Sequence, residues 1–382
     1  MNLKIHKQQQ KNADLHSPLG WFAYLRKRFV QCFLWENPQK NTISISAAPL
    51  ATIIRRAASL VLIDATTQES EYFDFETAAQ AEQKISEWLA KYQADDDAPL
   101  RWWGSTTART TATDSFYYNL YRYNFYFDLS ATTLTLEEYH GEEHSPTAAQ
   151  LWREYLPSWA WQTAKFSPKA AWRALLTPAT FDAQILDYQR VCADNKAYLL
   201  PACLPWEQTY EGDIFGYYRA MRQANNHAQY LFFMDTGTQQ RMGYQSKDTT
   251  PAAEFLPWQQ DMAAEEAFYS HAILAPSAAS QVGLPRTVAN NSANNSANNA
   301  ANNSTFFALA AGYIFIKNKQ IESCALPINQ PFYTLQNGNL RSYTRVWIDA
   351  QPLTANRKSQ LLQSLKAEAS QLQNISLSAQ NL

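Results

Sequence analysis

Apolar positions recur with two different periods along this chain. From Glu76 to Tyr92 they fall at Ala78, Ala81, Ile85, Trp88, Leu89 and Tyr92, the three-and-four spacing of one helix face. Leu361, Leu362, Leu365, Ala369 and Leu372 repeat that spacing and predict a last helix. Thr177-Pro178, a capping residue followed by proline, opens another helix from Ala179 to about Ala193, and Asp213 to Gln223 reads as a further one. Strand character lies at 42–47, 60–65, from Tyr198, and at 229–235. It returns at 311–317, 321–328, 332–335 and 339–349, the last two joined by an Asn337-Gly338 turn. Tyr121 to Asp128 and Thr132 to Leu136 read as a hairpin around Leu129-Ser130-Ala131. Met1 to His16 reads as a polar leader, and Trp21 to Trp35 as a helix with one basic face. The pattern is that of a mixed α/β chain.

Composition narrows the classes of function. With 382 residues, 46% of them apolar and 17% charged, and with 12 Trp, 21 Tyr and 19 Phe, the chain has ample material for a large core. Its 32 Lys and Arg nearly balance 34 Asp and Glu, so no global field recruits nucleic acid or an anionic membrane. The aromatic and basic residues of Trp21 to Trp35 would suit single-stranded nucleic acid, but no second basic cluster supports them. Only 10 glycines occur, and none form a G-x-G-x-x-G or a P-loop. Cys32, Cys192, Cys203 and Cys324 lack metal-site spacing and read as reduced thiols. The longest apolar run, Phe306 to Ile316, falls short of the ~20 residues that span a bilayer, and the polar start lacks a signal-peptide core. A cytoplasmic protein is expected.

Two segments need separate treatment. His140-Gly141-Glu142-Glu143-His144 fits the H-x-x-E-H spacing of a zinc-peptidase helix. Its internal Gly, the strand before it and Ser145-Pro146 after it favour a solvated loop instead. Asn290 to Ser304 repeats an Asn-Asn-Ser-Ala unit and holds eight asparagines, too little apolar surface to offset ordering entropy, so a flexible loop is expected.

An ordered series of segments carries a resemblance. Pro178 to Asp194, Tyr198 to Trp206, Thr209 to Asp213 and Tyr217 to Asn225 resemble the start of the chorismate-utilising enzyme domain. The resemblance is greatest to component I of aminodeoxychorismate (para-aminobenzoate) synthase, with anthranilate synthase component I next. Gly283-Leu284-Pro285-Arg286 looks like the family's Gly-Ala-Pro-Lys, and Gly312-Tyr313-Ile314 like its Gly-Tyr-Ile/Leu. Cys324 to Ile328 sits where Ile-Arg-Thr belongs, and Leu62-Ile63-Asp64-Ala65 resembles the Leu-Leu-Glu-Ser strand of a regulatory pocket. Tyr269-Ser270-His271 looks like a remnant of the family's Tyr-Ser-His stretch, with a structural histidine the equal alternative.

The resemblance implies an α/β (α+β) fold of two packed, largely antiparallel sheets with outer helices. It also implies chorismate as substrate, magnesium held by glutamates, and ammonia from a glutaminase subunit. The departures fall on those features. Lys247 stands where Ser-Pro-Glu has its acid, and Arg345-Val346-Trp347 matches the glycine loop. Pro327 takes the place of the Arg in Ile-Arg-Thr, and no Asp or Glu lies between Asp349 and Glu368, where the family's metal glutamates belong. Gly243 and Gly283 are too close in sequence for the family's middle block. The expectation is therefore a degenerate aminodeoxychorismate synthase component I homologue without a magnesium cofactor. Two readings stand beside it, a divergent but active synthase of folate biosynthesis and an interaction module without a small ligand.

No catalytic residue stands out beyond the weak candidate His271; Lys247, Gly283, Arg286 and Arg345 are the candidate substrate-binding residues, with no metal ligand. A chorismate-like anion and a glutaminase subunit are the expected partners, with no nucleic acid and no membrane. The expected organisation is a leader and helix over 1–40, the N-terminal part of the fold over 41–170, the chorismate-utilising-like region over 171–373 and a tail over 374–382. Replacing Asn290 to Asn303 by a short Gly-Ser linker should change the unfolding free energy by under about 1 kcal/mol in denaturant titration. A larger loss would show that the tract is packed.

Overall fold

The computed structural model describes residues 2–11, 17–56, 59–76, 78–94, 100–108, 116–140, 146–155, 165–175, 200–245, 308–317, 320–323, 326–328, 332–336, 338–348 and 355–381, with Thr177, Thr180, Ala183 and Leu186. The chain opens with a strand, β1 (Asn2–Lys11), where the sequence reads as a polar leader. Helix α1 (Pro18–Arg28) follows, started by Ser17, whose hydroxyl accepts the Gly20 N–H at 3.0 Å, and by proline in its first turn. It ends well before Trp35 because the backbone turns extended at Phe29, and β2 (Cys32–Asn37) takes the last four residues of the expected helix. Next come β3 (Thr42–Arg56), β4 (Ser59–Asp64), β5 (Glu69–Asp74), the expected helix α2 (Ala78–Ala90) and the short β6 (Gln93–Ala94).

Strands β7 (Trp102–Ala108), β8 (Phe116–Asp128) and β9 (Thr133–His140) precede α3 (Ala148–Tyr155), and β8 with β9 forms the expected hairpin. Short β10 (Ser167–Pro168) and β11 (Arg173–Ala174) are followed by β12 (Leu200–Glu211), α4 (Phe215–Ala224), β13 (Tyr230–Asp235) and β14 (Gln240–Gln245). Of the helix expected from Ala179, the described residues Thr180, Ala183 and Leu186 are helical, and the Thr177 hydroxyl accepts the Thr180 N–H at 3.2 Å. The last part holds β15 (Ala308–Lys317), β16 (Gln320–Ser323), β17 (Leu326–Ile328), β18 (Phe332–Gln336), β19 (Asn339–Ile348) and α5 (Ala355–Gln380). The single strand expected over 321–328 is thus two, and Gly338 at φ +75° makes the expected turn between β18 and β19.

Among the described strands all pairings are antiparallel except β1 with β6. One arm of the sheet runs β12-β19-β18-β14-β13-β2-β3-β8-β9-β1. The other runs β5-β4-β3-β8-β7-β15, with β16 and β17 both on β15. The long strands β3 and β8 belong to both. Their register shifts between Pro49 and Ala51, beside Ala48 at φ 59°, and such a bulge bends the pair where one arm passes into the other.

Three apolar clusters follow from this geometry. Helices α1, α3, α4 and α5 cover the outer face of the first arm through Trp21, Phe22, Trp152, Phe215, Tyr218 and Ile375, packed with Leu34, Ile45, Phe125 and Phe233 of its strands. Helix α2 covers the second arm through Ala81, Ile85, Trp88 and Leu89, against Ile53, Leu62, Trp102, Tyr118 and Leu120. Phe33, Phe232 and Met234 of the first arm meet Ile54, Val61, Trp103 and Tyr117 of the second in the space between them. The two packed antiparallel sheets with outer helices are as expected. No helix of the described residues is long and apolar enough to cross a membrane.

At Gly104 the second arm leaves no room for a side chain. This glycine pairs with Tyr118 on one side and Gly312 on the other, and a Cβ there would lie 2.0 Å from the Tyr117 carbonyl oxygen and 2.8 Å from the Tyr118 Cα. Because those are backbone atoms, little can give way. Gly104→Ala should cost at least about 2 kcal/mol in urea denaturation; a midpoint within error of the parent would show that the strands separate freely there.

Candidate functional site

The expected site residues divide between described and undescribed parts of the chain. Lys247, His271, Gly283 and Arg286 lie outside the described residues, as do the tract 290–304 and the segment 141–144. Arg345 is on β19, paired with Cys203 of β12, and Trp347 is paired with Pro201. Their side chains lie outside the description. Arg357 and Lys358 fall in the first turn of α5, which begins seven residues after the end of β19. Gly312, Tyr313 and Ile314 pair with Gly104, Trp103 and Trp102, and Pro327 of β17 pairs with Ala310 on the same strand β15. The segments resembling Gly-Tyr-Ile and replacing Ile-Arg-Thr are therefore neighbours, while Arg345 stands on the other arm.

The space between the arms is lined by polar as well as aromatic side chains. Thr52 donates to the Asn119 side-chain oxygen at 2.6 Å, and the Asn119 amide donates to the Tyr121 hydroxyl at 2.9 Å. Ser46 donates to the Asn124 oxygen at 2.7 Å, and the Asn124 amide donates to the Tyr121 carbonyl at 3.1 Å. Arg241 of β14, only 2% exposed, donates through Nη1 to the Ser105 hydroxyl at 3.1 Å and through Nη2 to Gln239 at 3.1 Å. Ser105 in turn lies 3.4 Å from the Met234 sulfur, and the Tyr117 hydroxyl donates to Gln31 at 3.3 Å. Burial pushes the Tyr121 and Tyr126 phenols well above their ordinary range, so they stay protonated. These groups are engaged with one another, and neither phenol is poised as a base.

The strand resembling the regulatory-pocket motif is engaged by its own neighbourhood. Leu62 is buried under α2, and Ile63 packs against the space between the arms. The Asp64 carboxylate accepts the Thr66 N–H at 2.8 Å and the Tyr92 hydroxyl at 2.8 Å. Burial opposes its charge, but the Thr66 and Tyr92 hydrogen bonds outweigh that and hold its carboxyl below the ordinary value.

Arg26 is a buried charge with carboxylate partners. Arg26 of α1 lies 3.0 Å from Asp213 and 3.3 Å from Asp235, over the rings of Phe233 and Phe215 at 4.8 and 5.5 Å. Desolvation works against its charge, yet the two carboxylates keep its pKa raised. Cys32 is buried and free, and burial pushes its thiol far above the usual range, which removes it as a nucleophile. Among the described residues no three His, Cys, Asp or Glu side chains gather as a metal would require.

Solved structures share this architecture. The menaquinone-specific isochorismate synthase of Escherichia coli matches with a TM-score of 0.60 at 12% identity, over 98% of this chain and 95% of that one. Anthranilate synthase component I from Streptococcus pneumoniae TIGR4 matches with a TM-score of 0.57 at 12% identity, over 95% of this chain and 99% of that one. This is the fold of the chorismate-utilising enzymes. At such identity the likeness is one of fold alone. No family model matches the sequence, and no curated protein matches it either.

Within this chorismate-utilising fold, the sequence pattern missed Arg241. Its signal is a lone arginine in the strand Gln240–Gln245, between a sharp Thr-Gly turn and an apolar neighbour, Met242, but only the pairing with β13 and β18 buries it. Near Arg345, on the same strand pair, Glu207 of β12 accepts Arg173 at 2.7 Å and Arg341 at 2.9 Å. The Arg173 hydrogen bond, against desolvation and with help from Arg341, holds the Glu207 carboxyl below its ordinary value of 4.5. A depressed folded pKa means stability that is present above the unfolded value and lost as pH falls through the folded one. Because Arg173 is 72% exposed, salt weakens the effect. Glu207→Gln should therefore flatten the loss of stability below about pH 4.5 in acid titrations at low salt; parallel curves for the two proteins would refute the pairing.

Proposed function

We propose that this chain is a degenerate homologue of aminodeoxychorismate synthase component I that binds a chorismate-like dicarboxylate without magnesium and does not aminate it. The observation that carries this reading is the absence of any Asp or Glu between Asp349 and Glu368, on a chain with this fold whose last helix begins at Ala355 with Arg357 and Lys358 in its first turn. Magnesium takes oxygen ligands, chiefly carboxylates and water, and repels cations. A dicarboxylate behaves oppositely, and Arg can hold a carboxylate through two parallel hydrogen bonds. Lys247, Arg286 and Arg345 add positive charge at the other matched positions. The protonated, hydrogen-bonded interior between the arms also favours holding a ligand or the fold over proton abstraction.

A glutaminase subunit is the partner this reading assigns, as the source of ammonia in component I synthases. Half-buried Tyr24 and Tyr155, 5.5 Å apart beside Trp21, are described aromatic residues at the edge of the helix layer that suit such a contact.

Calorimetric titration with chorismate, with and without magnesium, and an ammonia-dependent turnover assay test the reading together. Binding should be independent of magnesium and weakened by salt, with no turnover. Magnesium-dependent amination would overturn it in favour of a divergent, active synthase of folate biosynthesis. Absence of any chorismate binding would favour an interaction module instead.

A further inference from the structure

The last helix is fastened at one end by directional bonds. Leu372, Ile375 and Ala379 of α5 are buried in the core under the helix layer. Apolar contacts of that kind are non-directional and leave a helix able to roll or slide by small steps. Ser376 interrupts the stripe. It is fully buried, accepts the Trp172 indole N–H at 2.9 Å and donates to the Gln208 side-chain oxygen at 2.8 Å. The Gln208 amide donates onward to the Ala170 carbonyl at 2.8 Å. One hydroxyl thus ties α5 to β12 and to the segment between β10 and β11.

This arrangement tolerates little displacement. A shift of α5 by one residue would leave the Trp172 N–H and the Gln208 oxygen without Ser376 in a region that water does not reach. Leaving such groups unpaired costs more than the hydrogen bonds themselves contribute. A single polar side chain in an apolar seam is a known means of fixing helix register. Because α5 runs unbroken from Ala355 to Gln380, that register extends to its first turn. Arg357 lies 19 residues before Ser376, about 28 Å along the axis at 1.5 Å per residue.

We propose that Ser376 is a positioning residue whose hydroxyl locks the register of α5 and so holds Arg357 and Lys358 in place for an anionic ligand. This rests on the dicarboxylate-binding reading above and adds to it a control point at the far end of the helix. Ser376→Ala deletes the hydroxyl without adding bulk, and Ser376→Thr returns one. Two readouts on the full chain separate register from stability: chorismate affinity by calorimetry without magnesium, and amide hydrogen exchange across residues 359–370, both well below the melting temperature.

Ser376→Ala should weaken chorismate binding about fivefold or more and speed exchange over 359–370, and Ser376→Thr should restore both. A variant that melts earlier yet binds with parental affinity and exchanges at the parental rate would show Ser376 to be a packing residue only and overturn the proposal. If the parent protein itself fails to bind chorismate, the functional reading falls, and exchange decides the lock separately. Unchanged exchange in Ser376→Ala then overturns the lock as well.

Discussion

The pairing of β3 with β8 is the constraint on which the rest of the structure depends. Twelve residue pairs join the two strands from Thr42–Asp128 to Arg55–Phe116. Side chains alternate across a strand, so this one ladder supplies all three cores. Phe125 and Phe127 go under the outer helices, Tyr118 and Leu120 under α2, and Tyr117 and Tyr121 between the arms. Tyr121 and Tyr123 point to opposite cores although they are two residues apart. That breaks strict alternation at the bulge near Ala48 and Pro49, where β3 takes one extra residue. Without that shift in register, the two arms would compete for the same face of β8.

The interior between the arms follows from the same ladder. Asn119 and Asn124 lie on β8, and their partners Thr52 and Ser46 lie across from them on β3. Each amide has both a donor and an acceptor satisfied, which is the condition under which polar groups can be buried without a large penalty. A sandwich core built this way is more directional than one of leucine and valine. It resists rearrangement, and a ligand entering it must replace specific hydrogen bonds instead of displacing loosely packed atoms.

Much of the fold is legible from local pattern, and the exceptions have physical causes. Helix α2 is visible because one face alone is buried, and the β8–β9 and β18–β19 hairpins because short polar turns interrupt aromatic or alternating runs. Strand β1 is not visible, because beyond Leu3 and Ile5 it is Lys, His and Gln; its place is set by eight backbone-paired positions along β9. Strand β2 is buried on both faces, so Cys32 to Asn37 carries no alternation to separate it from the preceding helix. The candidate site was legible only as a resemblance with substitutions. Arg241 and Ser376 gain their meaning from burial and from partners more than a hundred residues away in sequence, Ser105 and Gln208, and no local period reports that.

The distance between paired strands also sets an order in time. Leu34 of β2 is paired with Phe233 of β13, and Trp103 of β7 with Tyr313 of β15. Each pair closes a loop of about 200 residues, and non-local pairing of this kind is slow to form. A ribosome adding about 5–20 residues per second needs roughly 10–40 seconds to make β13 after β2 has been made. Through that interval the β2 edge, with Phe33 and Leu34 on its two faces, has no native neighbour on that side. The nascent first half is therefore a sheet with an exposed apolar edge, open to mispairing until β13 has been made.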